Sequence, residues 1–308
     1  MSAQVPAVAA ETGSIYDIGY RRYDGPRLGR AHAVRSLFWY TLRSAYGIGR
    51  GGRAKIAPLT LGFLSCIPAI AIIAAQALIR QFPGGEGLEN ELPVRYDTYA
   101  GSISLFVILF CAAQAPDLFG RDQRYSLLSL YFSRALRRSD YTLARIAGFA
   151  VAVFLLHLLP YVLLFLGRVL LATDIVKGVI DDGPLLARAI LQSALTAGLL
   201  GSLSMAIAAY TPRRAYAVAG IIALFVIPNL VAGIVVALGS DTVGRWLILL
   251  SPSAVLDGTN AFLFDTDFSN RFNEGASLLP AWNFLAAAAA GIFAAVVVSV
   301  RRFQRITA

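Results

Sequence analysis

Charge is scarce in this chain. Only 15% of its 308 residues are Asp, Glu, Lys or Arg, while 57% are hydrophobic and the mean hydropathy is +0.65. An ordinary soluble domain is about 25% charged and about 45–50% apolar, and a soluble fold of this size has no interior large enough for the excess. Disordered and collagen-like classes are excluded with it. Cysteine is scarcer still: Cys66 and Cys111 both lie inside apolar runs, which excludes a disulfide scaffold and makes them packing residues. Histidine occurs twice, at His32 and His157, so a clustered metal site has few ligands to draw on. What is abundant is apolar sequence in long runs, and the class this implies is an all-α polytopic membrane protein.

A helix needs about 20 mostly apolar residues to cross the hydrocarbon core. Six stretches meet or approach this: Ile56–Ile79, Tyr99–Ala115, Tyr141–Leu171, Leu185–Tyr210, Ala215–Leu238 and Trp282–Val300. Pro68, Pro160 and Pro228 fall inside them, which neighbouring helices tolerate by satisfying the freed backbone groups. Period-two alternation is missing, which argues against a β-barrel. Orientation follows from Lys and Arg. The segment 1–55, the connections around 117–145 and 211–214, and the C-terminal tail together hold twenty of the 27; the alternate connections hold seven, and the acids divide six against twelve the other way. The expectation is six spans in the plasma membrane with both termini cytoplasmic. Arg21-Arg22 is followed by Tyr-Asp-Gly-Pro, not the short apolar region of a twin-arginine signal.

Residues 1–55 read as a cytoplasmic lead and an interfacial helix, and 56–308 as the transmembrane domain. Within Ala31–Tyr46, Val34, Leu37, Phe38, Leu42 and Ala45 share one helical face and Arg35, Arg43 and Arg50 another, with Trp39 and Tyr40 at the border. This pattern predicts an amphipathic helix lying in the membrane interface; a helix packed on a soluble partner is the alternative. Gly47-Ile48-Gly49-Arg50-Gly51-Gly52 formally fits G-x-G-x-x-G, but no strand precedes it and no Lys-Ser/Thr follows it. It reads as a flexible basic hinge.

No Asp or Glu lies within the six predicted runs, whereas ion-coupled transporters place ionisable groups at midplane. His157 either marks a substrate path or is a neutral imidazole bonded to a neighbouring helix. Gln76, Gln114, Gln192, Ser193, Ser202, Ser204 and Asn229 are the uncharged polar groups of the spans; His157, Gln192 and Asn229 are the candidates for a passage. No G-x-S-x-G elbow is present. The net charge of +9 reflects topology, not nucleic-acid binding, because aromatic interleaving is missing from the basic patches. No catalytic, cofactor or metal site is assigned.

The connection Asp117–Tyr141 reads DLFGRDQRYSLLSLYFSRALRRSDY. It is charged first, then apolar at Leu127, Leu128, Leu130 and Tyr131, then basic at Arg134, Arg137 and Arg138. It resembles the first cytoplasmic loop of permeases of the ATP-binding-cassette (ABC) type-2 family, in which an acid–base cluster, a Leu-rich middle and a Ser-Arg-Pro-like end precede the next span. Arg121-Asp122 to Arg124, Leu127–Leu130, Ser133-Arg134 and Arg137-Arg138 occupy those places, with Ala135 where proline is common. The six spans, the interfacial helix and the long segment before the last span extend the resemblance over nearly the whole chain, and Ile15–Tyr23 looks like the lead of actinobacterial members.

The resemblance implies a dimer of six-span units, with a second copy or a paralogue. It implies a separate cytoplasmic ABC ATPase docked on a coupling loop at 117–140, through Arg121, Asp122, Leu127, Leu130, Tyr131, Arg134, Arg137 and Arg138. ATP is then used by that partner, this chain binds no cofactor and is not itself an enzyme, and export is the usual direction. The segment 239–281 contains apolar pieces too short to span, Trp246–Leu250 and Ala261–Phe264, and is expected to be an outer loop or a re-entrant hairpin. Two rivals stand beside the exporter: a lipid-modifying membrane enzyme using Asp257, Asp265, Asp267 and Glu274, which form no ligand-spaced cluster with His or Cys, and a non-transporting scaffold.

Overall fold

The computed structural model describes residues 25, 28–81, 96–133, 136–238, 241–266 and 279–306. Their regular structure is helical throughout: α1 (Arg30–Ala45), α2 (Arg53–Ile79), α3 (Tyr96–Arg124), α4 (Leu128–Phe132), α5 (Arg138–Leu171), α6 (Ile175–Tyr210), α7 (Arg214–Ala237), α8 (Asp241–Ile248), α9 (Pro252–Phe264) and α10 (Trp282–Gln304). Six of these, α2, α3, α5, α6, α7 and α10, are long and apolar enough to cross a membrane, and the chain is a multi-pass membrane protein. α5 and α6 pack together along the centre of the bundle, with α2 and α3 against α5, α3 and α10 against α6, and α7 joined mainly to α3 and to the short pair α8–α9.

Helix ends follow local chemistry. The Asp174 carboxylate accepts from the Val176 amide at 2.9 Å to start α6, and the Ser251 hydroxyl accepts from the Ala254 amide, with Pro252 opening α9. Both are ordinary N-caps. Asp140 accepts from the Arg137 amide at the start of α5.

Two predicted boundaries move, and for the same reason. The second span does not stop at Ala115: α3 continues through Pro116 to Arg124, so the expected loop at 117–140 shrinks to a turn at 125–127, α4 and the short stretch before α5. Asp117 and Asp122, which mark a solvated loop in sequence, are held within the bundle by Arg50 and Arg145. Likewise the fourth span starts at Ile175 instead of Leu185, because Asp182 is buried in an ion pair with Arg168 at 2.7 Å.

The amphipathic helix is also differently employed. Leu37, Thr41, Leu42 and Ala45 of α1 are buried, and the helix packs on α5 instead of presenting its whole apolar face to lipid. Gly148 of α5 permits this approach: a Cβ there would stand 2.8 Å from the Phe38 carbonyl oxygen and 2.9 Å from the Thr41 Cβ. The glycine-rich hinge is an ordered turn. Gly47 has φ +70°, and a Cβ on it would lie 2.6 Å from the Ala54 carbonyl oxygen, so a side chain is excluded both by strain and by space.

One core cluster reaches from α1 and the end of α10 to α9, built on Phe110 stacked with Phe149 at 6.1 Å and on Phe119 against Phe303 at 4.7 Å. Another, around Tyr96, Tyr99 and Tyr161, fills the far end. The end carrying α4, the start of α1 and the end of α10 is termed the basic end below; α8 and α9 lie at the opposite end.

Candidate functional site

The candidate site is a half-open cavity of about 740 Å³ lined by α3, α5, α6, α7 and α9. Most of its wall is apolar, from Leu105 and Ile108 of α3, Leu200 of α6, and Phe225, Val226 and Leu230 of α7. His157, Gln192 and Asn229, scattered across three spans in sequence, all reach this one cavity, joined by Thr196, Ser253 and Asp257. Size and lining match a pocket for a drug-sized or lipid-like molecule: largely hydrophobic, with a few polar groups to fix orientation.

The polar groups have distinct duties. Gln192 donates to the Leu256 carbonyl at 2.9 Å and its Oε1 accepts from the Thr259 hydroxyl at 3.1 Å. It therefore anchors α9 to α6. The Ser253 hydroxyl donates to the Phe225 carbonyl at 3.0 Å, tying α9 to α7. The Ser193 hydroxyl donates to the Ala189 carbonyl at 2.7 Å and lies 2.8 Å from Nδ1 of His157. Because the serine proton is already used, Nδ1 of the imidazole is the donor between them, leaving Nε2 as its other site. Asn229 is different: its Oδ1 is buried without a hydrogen-bond partner among the described residues. An unsatisfied buried carbonyl costs about 1–3 kcal/mol.

At the basic end a second constellation surrounds Arg145, which is only 2% exposed. Its guanidinium pairs with Asp122 of α3 and reaches Thr41 of α1 and the Tyr131 hydroxyl of α4, both at 3.5 Å. Tyr141 donates to the same Asp122 oxygen at 2.6 Å. The rings of Tyr40, Tyr141 and Tyr131 stand 5.4, 5.5 and 5.9 Å from the guanidinium carbon, within cation–π range. One arginine thus joins α1, α3, α4 and α5. Burial pushes the Tyr131 phenol above its ordinary pKa, so it stays protonated.

The residues expected to dock a partner divide accordingly. Asp122 is buried and faces Arg145, so it is unavailable to an external surface. Tyr131 is half-buried against Tyr141 and Arg145. Arg138 donates to the Gln304 carbonyl at 2.8 Å, closing the end of α10. Leu127 is half-buried and Leu128 buried. Leu130, 62% exposed, and Arg137 face outward, and Arg121 is half-exposed. Arg134 lies outside the described residues. Tyr125, 64% exposed, joins Leu130 as an apolar feature of this face. Sequence reasoning passed over Arg145, treating it as one of the basic residues of a loop. The available signal was a lone arginine embedded in an apolar run, which requires an acid in contact.

Among the described residues, no three His, Cys, Asp or Glu side chains gather where they could hold a metal ion. No protein-family model matches the chain, and no curated protein matches it.

Proposed function

We propose that this chain is the membrane-spanning subunit of an ATP-driven exporter, powered by a separate cytoplasmic ATPase of the ABC class and paired with a second copy or a paralogue. The observation that carries the reading is the seating of α4. A five-residue helix between the second and third spans is an uneconomical connector, yet here it is locked through Tyr131 to Arg145 and thence to α1, α3 and α5. An element held this firmly transmits a push applied to its exposed residues directly into three long helices. The cavity supplies the other half of the reading: a passenger site on the far side of the same helices, roofed by α9.

In this reading ATP binding and hydrolysis belong to the partner, and the permease contributes the passage. Its passenger is apolar or amphipathic and donates a hydrogen bond toward Asn229. The test is co-expression of the chain with candidate ABC ATPases from the same genome, followed by purification and reconstitution. Co-purification of the two, with ATP turnover stimulated by a hydrophobic cation or lipid, is the expected result. Asn229→Leu should abolish the stimulation and leave the complex intact. Turnover by this chain alone, or no association with any ATPase, would remove the proposal and return the scaffold or the enzyme.

A further inference from the structure

A cleft of about 840 Å³ opens at the basic end between α1, the turn after it and α3. Its cationic wall is Arg35 and Arg43 of α1, Arg50 of the turn and Arg121 of α3, with His32 at one margin. Arg50 is matched by Asp117 at 2.8 Å. Arg35, Arg43 and Arg121 have no carboxylate partner among the described residues. Arg50 and Arg121 also line an adjoining hollow with Arg53. Guanidinium groups brought together on three separate segments repel one another unless an anion bridges them, and their planar forks match phosphate oxygens better than any other biological anion except carboxylate.

The rest of the cleft says where the phosphate comes from. Trp39 and Tyr40 line it while half of each ring surface stays exposed, the arrangement aromatic side chains adopt at the headgroup level. Ile48, 57% exposed, forms part of the same wall. The exposed Ile56, Leu59 and Phe63 share one face of α2, the helix that follows the turn lining the cleft. A soluble phosphate has no use for that apolar margin; a phospholipid places its chains along it. We propose that this cleft binds the phosphate-bearing headgroup of an anionic membrane lipid, with Arg35, Arg43 and Arg121 holding the phosphate and Trp39 and Ile48 bordering the glycerol region. The site is independent of the exporter reading, since it requires only the membrane location.

The test is native mass spectrometry of the full-length chain in detergent, titrated separately with phosphatidylglycerol, phosphatidylcholine and inorganic phosphate. One phosphatidylglycerol should bind per chain in preference to phosphatidylcholine. The triple variant R35A/R43A/R121A should bind it roughly a hundredfold more weakly. The variant R213A/R301A/R305A, which removes the same charge elsewhere on the basic end, should change binding by about threefold or less. Arg35, Arg43 and Arg121 are at least partly exposed, and an unchanged melting temperature will show that the cleft variant is folded. R35K/R43K/R121K, which keeps charge but not the fork, should fall between. Equal loss in both alanine triples would reduce the site to diffuse surface attraction and overturn the proposal. Inorganic phosphate competing as well as the lipid would overturn it in favour of a soluble anion. Retained lipid binding in the cleft variant with loss of an associated ATPase would overturn it in favour of a protein partner.

Discussion

Arg145 is the residue on which most of the basic end depends. Its charge is buried, and its compensation comes from one carboxylate, two hydroxyls and three aromatic faces. Removing one member of a buried pair leaves the other charge unpaired, at a cost of about 3–5 kcal/mol, whereas replacing both partners by neutral groups is often close to neutral. Arg145→Met should therefore lower the melting temperature of the purified chain markedly, and Asp122→Asn combined with Arg145→Met should recover most of the loss. A single variant as stable as the parent would show that the pair is solvated and not the anchor described. Asn229 offers the opposite case. Its carbonyl is buried without a partner, so Asn229→Leu should raise stability slightly or leave it unchanged while impairing binding of the passenger. A fall in both would indicate a structural partner for the amide.

Among the elements, α1 and α4 carry the sharpest expectations. Alanine is normally better than glycine inside a helix by about 1 kcal/mol, but a Cβ at Gly148 meets the backbone of α1. Gly148→Ala should thus destabilise by roughly 1–3 kcal/mol, as overpacking does, and should render the α1–α2 turn susceptible to limited proteolysis. Unchanged protection would mean that α1 can shift at little cost. On α4, exposed and inward residues should separate experimentally. Interface energy concentrates in a few apolar anchors. If the proposed exporter reading holds, Tyr125→Ala with Leu130→Ala should release the partner ATPase without altering the melting temperature. Tyr131→Ala should instead lower the melting temperature, because its hydroxyl and ring belong to the Arg145 cluster. Arg137→Ala, an exposed rim change, should act weakly and more so at high salt. Full ATPase binding by the Tyr125/Leu130 double variant would exclude this face as the docking surface.

For the whole molecule, the distribution of charge and the six spans predict that α4 and the described ends of α1 and α10 face one compartment. Cys66 and Cys111 are both free and buried, so after their replacement single cysteines report topology cleanly. A membrane-impermeant thiol reagent applied to intact cells should modify Asp181→Cys but not Arg137→Cys or Arg305→Cys. Modification at Arg137 would invert the assigned orientation and with it the position of any cytoplasmic ATPase.

The number and approximate bounds of the spans were legible from the sequence alone, because insertion responds to local apolar content summed over about twenty residues. So were the extra helix before the first span and the identity of His157, Gln192 and Asn229 as polar residues of the spans; the segment before the last span was legible only as apolar pieces too short to cross, not as the helices α8 and α9. Composition also excluded a disulfide scaffold. What no local window could contain is pairing between distant segments. Asp117 and Asp122 look like loop residues until Arg50 and Arg145 are folded against them. Asp182 looks like a solvated acid until Arg168 lies beside it. The charge of each is tolerable in a helix only because its partner, fourteen to sixty-seven positions away, neutralises it. The convergence of four spans and α9 on one cavity, and of Arg35, Arg43 and Arg121 on one cleft, is likewise a property of packing. Hydrophobicity decided which segments enter the membrane; electrostatic and steric fit between them decided where those segments end and what they enclose.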